Sequence, residues 1–176
     1  MALVERLRGF LVIAAVVTAL DQASKALVRD RLALGETWLH GWGLIRLSHV
    51  ENTGAAFGIL QGAGDLLIVT TLIAVGALAF FLLTLPSRSR LYPLALSLIL
   101  GGAVGNLIDR VRYGSVTDFI DPTHYPAFNL ADSAIVIGVV ALFVLSWFEG
   151  DSSQREASNA PASAPAAATT GTERHE

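Results

Sequence analysis

The chain has 176 residues, enough for one domain, and 53% of them are hydrophobic while only 15% are charged, against about 25% charged in a typical soluble domain. A formal charge of −3 with no basic block excludes a nucleic-acid partner. The absence of cysteine excludes disulfides, thiolate–metal sites and cysteine nucleophiles, and requires any lipid attached through cysteine to sit on another molecule.

The first apolar segment, residues 10–28, is uncharged in its first half and then carries Asp21 and Lys25, one helical turn apart. Arg6 and Arg8 ahead of FLVIAAVV, with Val17-Thr18-Ala19 behind it, imitate a cleavable secretory signal. Cleavage there would discard half of a helix whose other half holds the Asp21/Lys25 pair, so the segment is read as a retained span. Residues 32–51 follow, with Trp38 and Trp42 and an apolar/polar alternation over Leu44 to Val50. Tryptophan favours the headgroup layer, and the alternation predicts a short strand pair lying on the membrane.

Leu66 to Leu85 is a run of 20 residues without a charge, and Leu91 to Ile108 a run of 18. Each is long enough to cross a hydrocarbon core of about 30 Å. The last span, 130–148, opens on Asn129 and Asp132; counting only its uncharged stretch from Ser133 to Phe148 gives 16 residues, which leaves Asp132 at or just inside an interface. Residues 149–176, rich in Ala, Ser, Pro and Thr, read as a disordered tail. The expected architecture is an all-α membrane domain over 1–148, with four transmembrane helices at 10–28, 66–85, 91–108 and 130–148 and a small β-like cradle at one face.

Four spans place both termini on one side, together with the link PSRSR at 86–90 and its two arginines. The positive-inside rule makes that side cytoplasmic. Asp21, Lys25, the 52–58 segment, Asn106, Asp109, Arg110, Asp118, Asp121, Asn129 and Asp132 then all fall at the opposite face. Ionisable groups within a membrane are costly and mark functional sites. A polar cluster that only joins helices is the competing structural reading.

Chemically, the face offers carboxylates, one lysine, arginines and asparagines. Ser24 and Lys25 are adjacent and point about 100° apart on a helix, so they make a poor nucleophile–base pair. His49-Val50-Glu51 and Asp121 to His124 lack a metal-ligand spacing, and these histidines read as surface loop residues; no metal and no cofactor is expected. Two carboxylates sharing a proton remain, one activating water while the other protonates a carbonyl oxygen. Asp132 is the first candidate. Its partner among Asp109, Asp118 and Asp121 is left open by this reasoning, with Asp109 beside Arg110 also readable as a salt-bridged helix anchor.

Five segments together resemble the lipoprotein signal peptidase (signal peptidase II) family: Asp21-Gln22-Ala23-Ser24-Lys25, NTGAAFG at 52–58, GGAVGNLIDR at 101–110, VTDFI at 116–120 and FNLADS at 128–133. The resemblance covers about residues 10–148, in the family's order. It implies an aspartyl endopeptidase of the bacterial inner membrane, active at the outer face. The implied enzyme cuts diacylglyceryl-modified prolipoproteins just before the lipidated cysteine. Carried over by position, the catalytic pair is Asp118 and Asp132. Asn52 and Asn129 would hold substrate backbone or the pair, Asn106 and Asp109 would organise the base of the site, Arg110 would meet lipid or carbonyl groups, and Asp21 with Lys25 would brace the first span. Gly54 allows a tight turn, while Gly101, Gly102 and Gly105 permit close helix approach. Thr117 departs from the family, where valine is usual. Phospholipid is the surrounding partner, and the protein is expected to be a monomer with both termini cytoplasmic. A proton- or ion-relaying transporter is the main alternative, but it would need polar groups through the whole bilayer depth.

Overall fold

The structure is a computed structural model that describes residues 3–38, 43–54, 64–84 and 91–159. Four helices carry the chain: α1 (Leu3–Arg31), α2 (Gly64–Thr84), α3 (Leu91–Tyr113) and α4 (Leu130–Asn159). Each contains a stretch long and apolar enough to cross a membrane, at Leu7–Arg31, Gly64–Leu82, Leu91–Tyr113 and Leu130–Phe148. The expected spans are all present, with shifted ends. α1 and α3 run on through their charged ends, because residues such as Lys25 and Asp109 are buried against one another and do not stop the helix. α4 continues to Asn159, past the boundary at 149. The tail from 160 lies outside the described residues.

α3 is the hub and packs on α1, α2 and α4. Its glycines make this possible. A β-carbon on Gly101 would fall 2.7 Å from both the carbonyl oxygen of Ala14 and the β-carbon of Val17, and one on Gly102 would collide with the carbonyl of Ala131. Thr18 uses the closeness, donating from Oγ1 to the Gly101 carbonyl at 3.0 Å. The small-residue reading of this stripe therefore holds, with backbones meeting at distances that larger residues forbid. At one end of the bundle Phe10, Leu82 and Leu96 form an apolar cluster. Leu11, Ile73, Val139 and Phe143 on the helix exteriors remain exposed, as lipid-facing positions are.

At the other end sits an antiparallel sheet ordered β1 (Thr37–Trp38), β2 (Ile45–Asn52), β3 (Val116–Pro122). The predicted alternation over Leu44 to Val50 is indeed a strand, but its partner from the same loop is only two residues long. Its main partner is β3, from the connection between α3 and α4, with Val50 opposite Asp118 and Asn52 opposite Val116. This strand escaped the sequence reading because Val116 to Phe119 are all buried, so both faces are covered and no alternation shows. The β2–β3 register shifts between Leu47 and Val50, an irregularity of the kind a bulge makes. Trp38 is exposed on this sheet, and Trp42 lies outside the described residues.

Candidate active site

The site is built outward from the start of α4. Asn129 caps the helix: its Oδ1 accepts the N–H of Asp132 at 3.0 Å, and Asp132 Oδ2 accepts the N–H of Asn129 at 3.2 Å. This reciprocal arrangement satisfies amides that a helix start leaves open. Asp21 from α1 takes a third, the N–H of Ala131, at 3.0 Å. The cap fixes Asp132 at the mouth of the helix, and its Oδ1 then receives the Asn106 amide at 2.7 Å.

Asn106 has no freedom to turn that amide around. Its Oδ1 faces Lys25 Nζ at 2.7 Å, and a cation can only meet the oxygen end. Lys25 is fully buried, 2.9 Å from Asp21 and 3.5 Å from Asp109, both of which are also fully buried. The expected pair is thus half of a larger ionic cluster, in which charges withdrawn from water are compensated on several sides.

Asp118 comes from β3. Asn52 Nδ2 donates to its Oδ2 at 3.0 Å and Asn129 Nδ2 to its Oδ1 at 2.7 Å. The second N–H of Asn129 reaches Asn106 at 3.1 Å. One asparagine therefore connects both carboxylates, its side-chain amide donating to Asp118 and its backbone N–H to Asp132. They border a cavity of about 400 Å³, together with Asn52, Gly54, Asn106, Arg110, Phe128, Ile135 and Val136. That is the size range of a substrate pocket.

Every site residue proposed from the sequence is brought here, six on the cavity and Asp21, Lys25, Asp109 and Asn129 buried behind it. Some expectations change. Asp109 forms its ion pairs with Lys25 and Arg29 and not with Arg110, since neighbours on a helix diverge. It accepts from Gln22 at 3.1 Å and from the Thr117 N–H at 3.1 Å, beside Lys25 and Arg29. Arg110 instead reaches the carbonyl of Gly54 at 3.5 Å, on the cavity wall. His49 is a buried strand residue, its Nδ1 2.9 Å from the Leu32 carbonyl, and not a surface loop histidine. Ser24 donates back to the Asp21 carbonyl at 2.8 Å. Among the described residues no group of three potential metal ligands occurs.

Gln22, Arg29 and Thr117 were given no role by the sequence reading. Gln22 Nε2 ties Asp21, the Gly105 carbonyl and Asp109 together at 3.0–3.2 Å. The signal was present in α1, where Thr18, Asp21, Gln22, Lys25 and Arg29 recur at three- and four-residue intervals and so share a face.

Burial above all, and then the charge of Asp132, push the Asp118 carboxyl from 3.8 up to about 6, against the hydrogen bonds of Asn52 and Asn129 and the Lys25 charge. A raised carboxyl binds its proton more tightly in the native state than in the unfolded chain. Stability contributed through Asp118 therefore falls as pH rises through the window from about 4 to about 6. Other carboxylates titrate there too, so the difference between Asp118→Asn and wild type isolates the effect. The melting-temperature difference, variant minus wild type in micelles, should grow with pH up to about 6 and then level off. A difference that stays constant from pH 4 to 7 would count against a raised carboxyl.

Four apolar helices with a carboxylate-lined cavity at one end define a multi-pass membrane protein equipped for acid–base chemistry. A family model described as signal peptidase (SPase) II matches residues 13–148. The lipoprotein signal peptidase of Syntrophotalea carbinolica is 45% identical over 150 residues, covering 81% of this chain and 93% of that protein. The one from Maridesulfovibrio salexigens is 42% identical over 142 residues, covering 76% and 91%. Two solved bacterial membrane enzyme structures superpose with TM-scores of 0.75 and 0.72 at 31% and 33% identity, covering 81% and 78% of this chain and 89% and 91% of theirs. The chain belongs to the signal peptidase II family of membrane aspartic peptidases.

Proposed function

We propose that the chain removes signal peptides from prolipoproteins whose cysteine already carries a diacylglyceryl group, cutting just before that cysteine, with Asp118 and Asp132 as the catalytic pair. The observation that carries this reading is the meeting of two carboxylates from different elements, joined through Asn129, on one cavity at the end of the bundle. A water between them loses a proton to the ionised carboxylate as it attacks the scissile carbonyl, while the protonated one donates to the carbonyl oxygen. Collapse of the tetrahedral species breaks the C–N bond: the departing amine takes the proton drawn from water, and the other carboxylate recovers its proton from the oxygen it protonated. Asn52, Asn106 and Asn129 hold the pair; Arg110, over Gly54, shapes the wall that faces the substrate.

The setting fits a substrate anchored in lipid. Ile135 and Val136 of α4 extend the cavity along the helix toward the apolar layer, and Val136 is 60% exposed. A signal helix leaving the bilayer and acyl chains beside it would both find apolar surface there. By the arginine bias of the sequence, the termini are cytoplasmic and the cavity opens at the outer face of the bacterial inner membrane. The chain acts as a monomer among phospholipids, without a cofactor.

The test compares one prolipoprotein with and without its diacylglyceryl group, incubated with the purified chain in micelles. Cleavage of the modified form alone, giving a new N-terminus at the cysteine, is the expected result. Equal cleavage of both forms would overturn recognition of the lipid, and cleavage at another bond would overturn the assigned specificity.

A further inference from the structure

Asp118 is held from the front by two asparagines, but a strand residue also needs its backbone fixed. Side chains alternate along β3, so Thr117 faces away from the cavity, toward the ends of α1 and α3. Both helices grip it there. Asp109 of α3 accepts the Thr117 N–H at 3.1 Å, and Arg29 of α1 donates from Nη1 to Thr117 Oγ1 at 2.8 Å. The guanidinium is fixed in turn, 3.5 Å from Asp109 Oδ2 and 4.5 Å above the Tyr113 ring.

An arginine at a helix end near a membrane surface ordinarily snorkels, its charge pointing out to headgroups. Arg29 does not. Its side chain is only 22% exposed; Nη1 meets both the Thr117 hydroxyl and the Asp109 carboxylate, and the Tyr113 ring lies under the guanidinium carbon. The planar guanidinium suits this arrangement by its face; a lysine would offer a point charge without the stacking face. Thr117 is what makes the bond possible, because a valine of nearly the same shape has no acceptor. At 4% exposure for the residue, the hydroxyl needs a hydrogen-bond partner, and Arg29 supplies it.

From this geometry we infer that Arg29 is a positioning residue: by fixing Thr117 from behind, it sets the register and depth of β3 and so places the Asp118 carboxylate between Asn52 and Asn129. The inference rests on Asp118 belonging to the reacting pair. A reacting group displaced by about 1 Å can lose on the order of a hundredfold in rate, so a partial loosening of the strand should show in kcat and not in substrate capture.

The experiment measures kcat and KM for cleavage of a diacylglyceryl-modified prolipoprotein by the full chain in micelles. Wild type is compared with Thr117→Val, Arg29→Met, Arg29→Lys, the Thr117→Val/Arg29→Met double variant and Asp118→Asn, each checked for folding by thermal melting. Thr117→Val and Arg29→Met should each lower kcat about tenfold with KM within about twofold. The double variant should be no worse than Arg29→Met, since both changes break one bond. Arg29→Lys should restore little. Wild-type kcat in folded Thr117→Val overturns the inference, as do multiplying losses, a change confined to KM, or full recovery in Arg29→Lys, which marks a headgroup anchor. Should Arg29→Met fail to fold, Thr117→Val, nearly isosteric, decides alone. Cleavage by Asp118→Asn sinks the catalytic pair itself; an inert Asp118→Asn beside a fully active Thr117→Val sinks only the positioning role.

Discussion

Lys25→Met is expected to unfold at a far lower temperature than wild type, with a loss of about 3–5 kcal/mol in stability, the range for a buried ion cluster deprived of one partner. The lysine is fully buried, as are Asp21 and Asp109 on either side of it. Methionine matches its length and removes its charge, leaving two carboxylates out of water without the cation between them. The damage spreads because the same ammonium holds Asn106 Oδ1, whose amide holds Asp132. Freed to turn, Asn106 can present oxygen to a carboxylate. Activity should therefore fall further than the fraction of folded protein explains. Asp21→Asn added to Lys25→Met removes one of the stranded charges while keeping an oxygen for the Ala131 amide, and should recover part of the stability. Thermal melting in micelles reads both effects; a Lys25→Met variant that melts with wild type would show the cluster to be dispensable.

The helices were legible because a run without charge is a statement about solvent: no other environment than lipid suits Leu66 to Leu85. Their ends were not legible, because hydropathy marks the membrane and not the helix. Asp109 and Arg110 count as the end of a hydrophobic run, yet they sit inside α3, which continues to Tyr113. The site residues stood out for the same reason the spans did, being polar where polarity is costly. The choice among carboxylates lay beyond residue chemistry, since Asp109, Asp118 and Asp121 are alike in sequence. Geometry separates them. Asp109 is enclosed by Lys25, Arg29, Gln22 and Thr117, Asp121 pairs with Arg46 at 2.9 Å, and of the three only Asp118 borders the cavity. Contacts such as Arg29 with Thr117 join residues 88 apart, and no local pattern encodes them.

Asp118→Asn and Asp132→Asn are each expected to reduce cleavage by at least about a thousandfold, because an amide can neither take the proton of water nor give one to the carbonyl oxygen. The substitutions keep size, so substrate should still bind, and the loss should fall on kcat. Their structural costs differ from zero for a readable reason. Both oxygens of Asp118 accept from asparagine amides, so an amide at 118 sets one N–H against another. At Asp132 the conflict is sharper, since Asn106 is locked by Lys25 and cannot turn its oxygen toward a new donor. Each unmatched group costs about 1–3 kcal/mol, leaving the variants folded but less stable. That expectation separates chemistry from collapse: melting shows a folded protein while cleavage is gone. A folded variant of either kind that keeps a tenth of wild-type kcat would end the pair's claim to the reaction and return both aspartates to the helix-joining role that their hydrogen bonds alone would support.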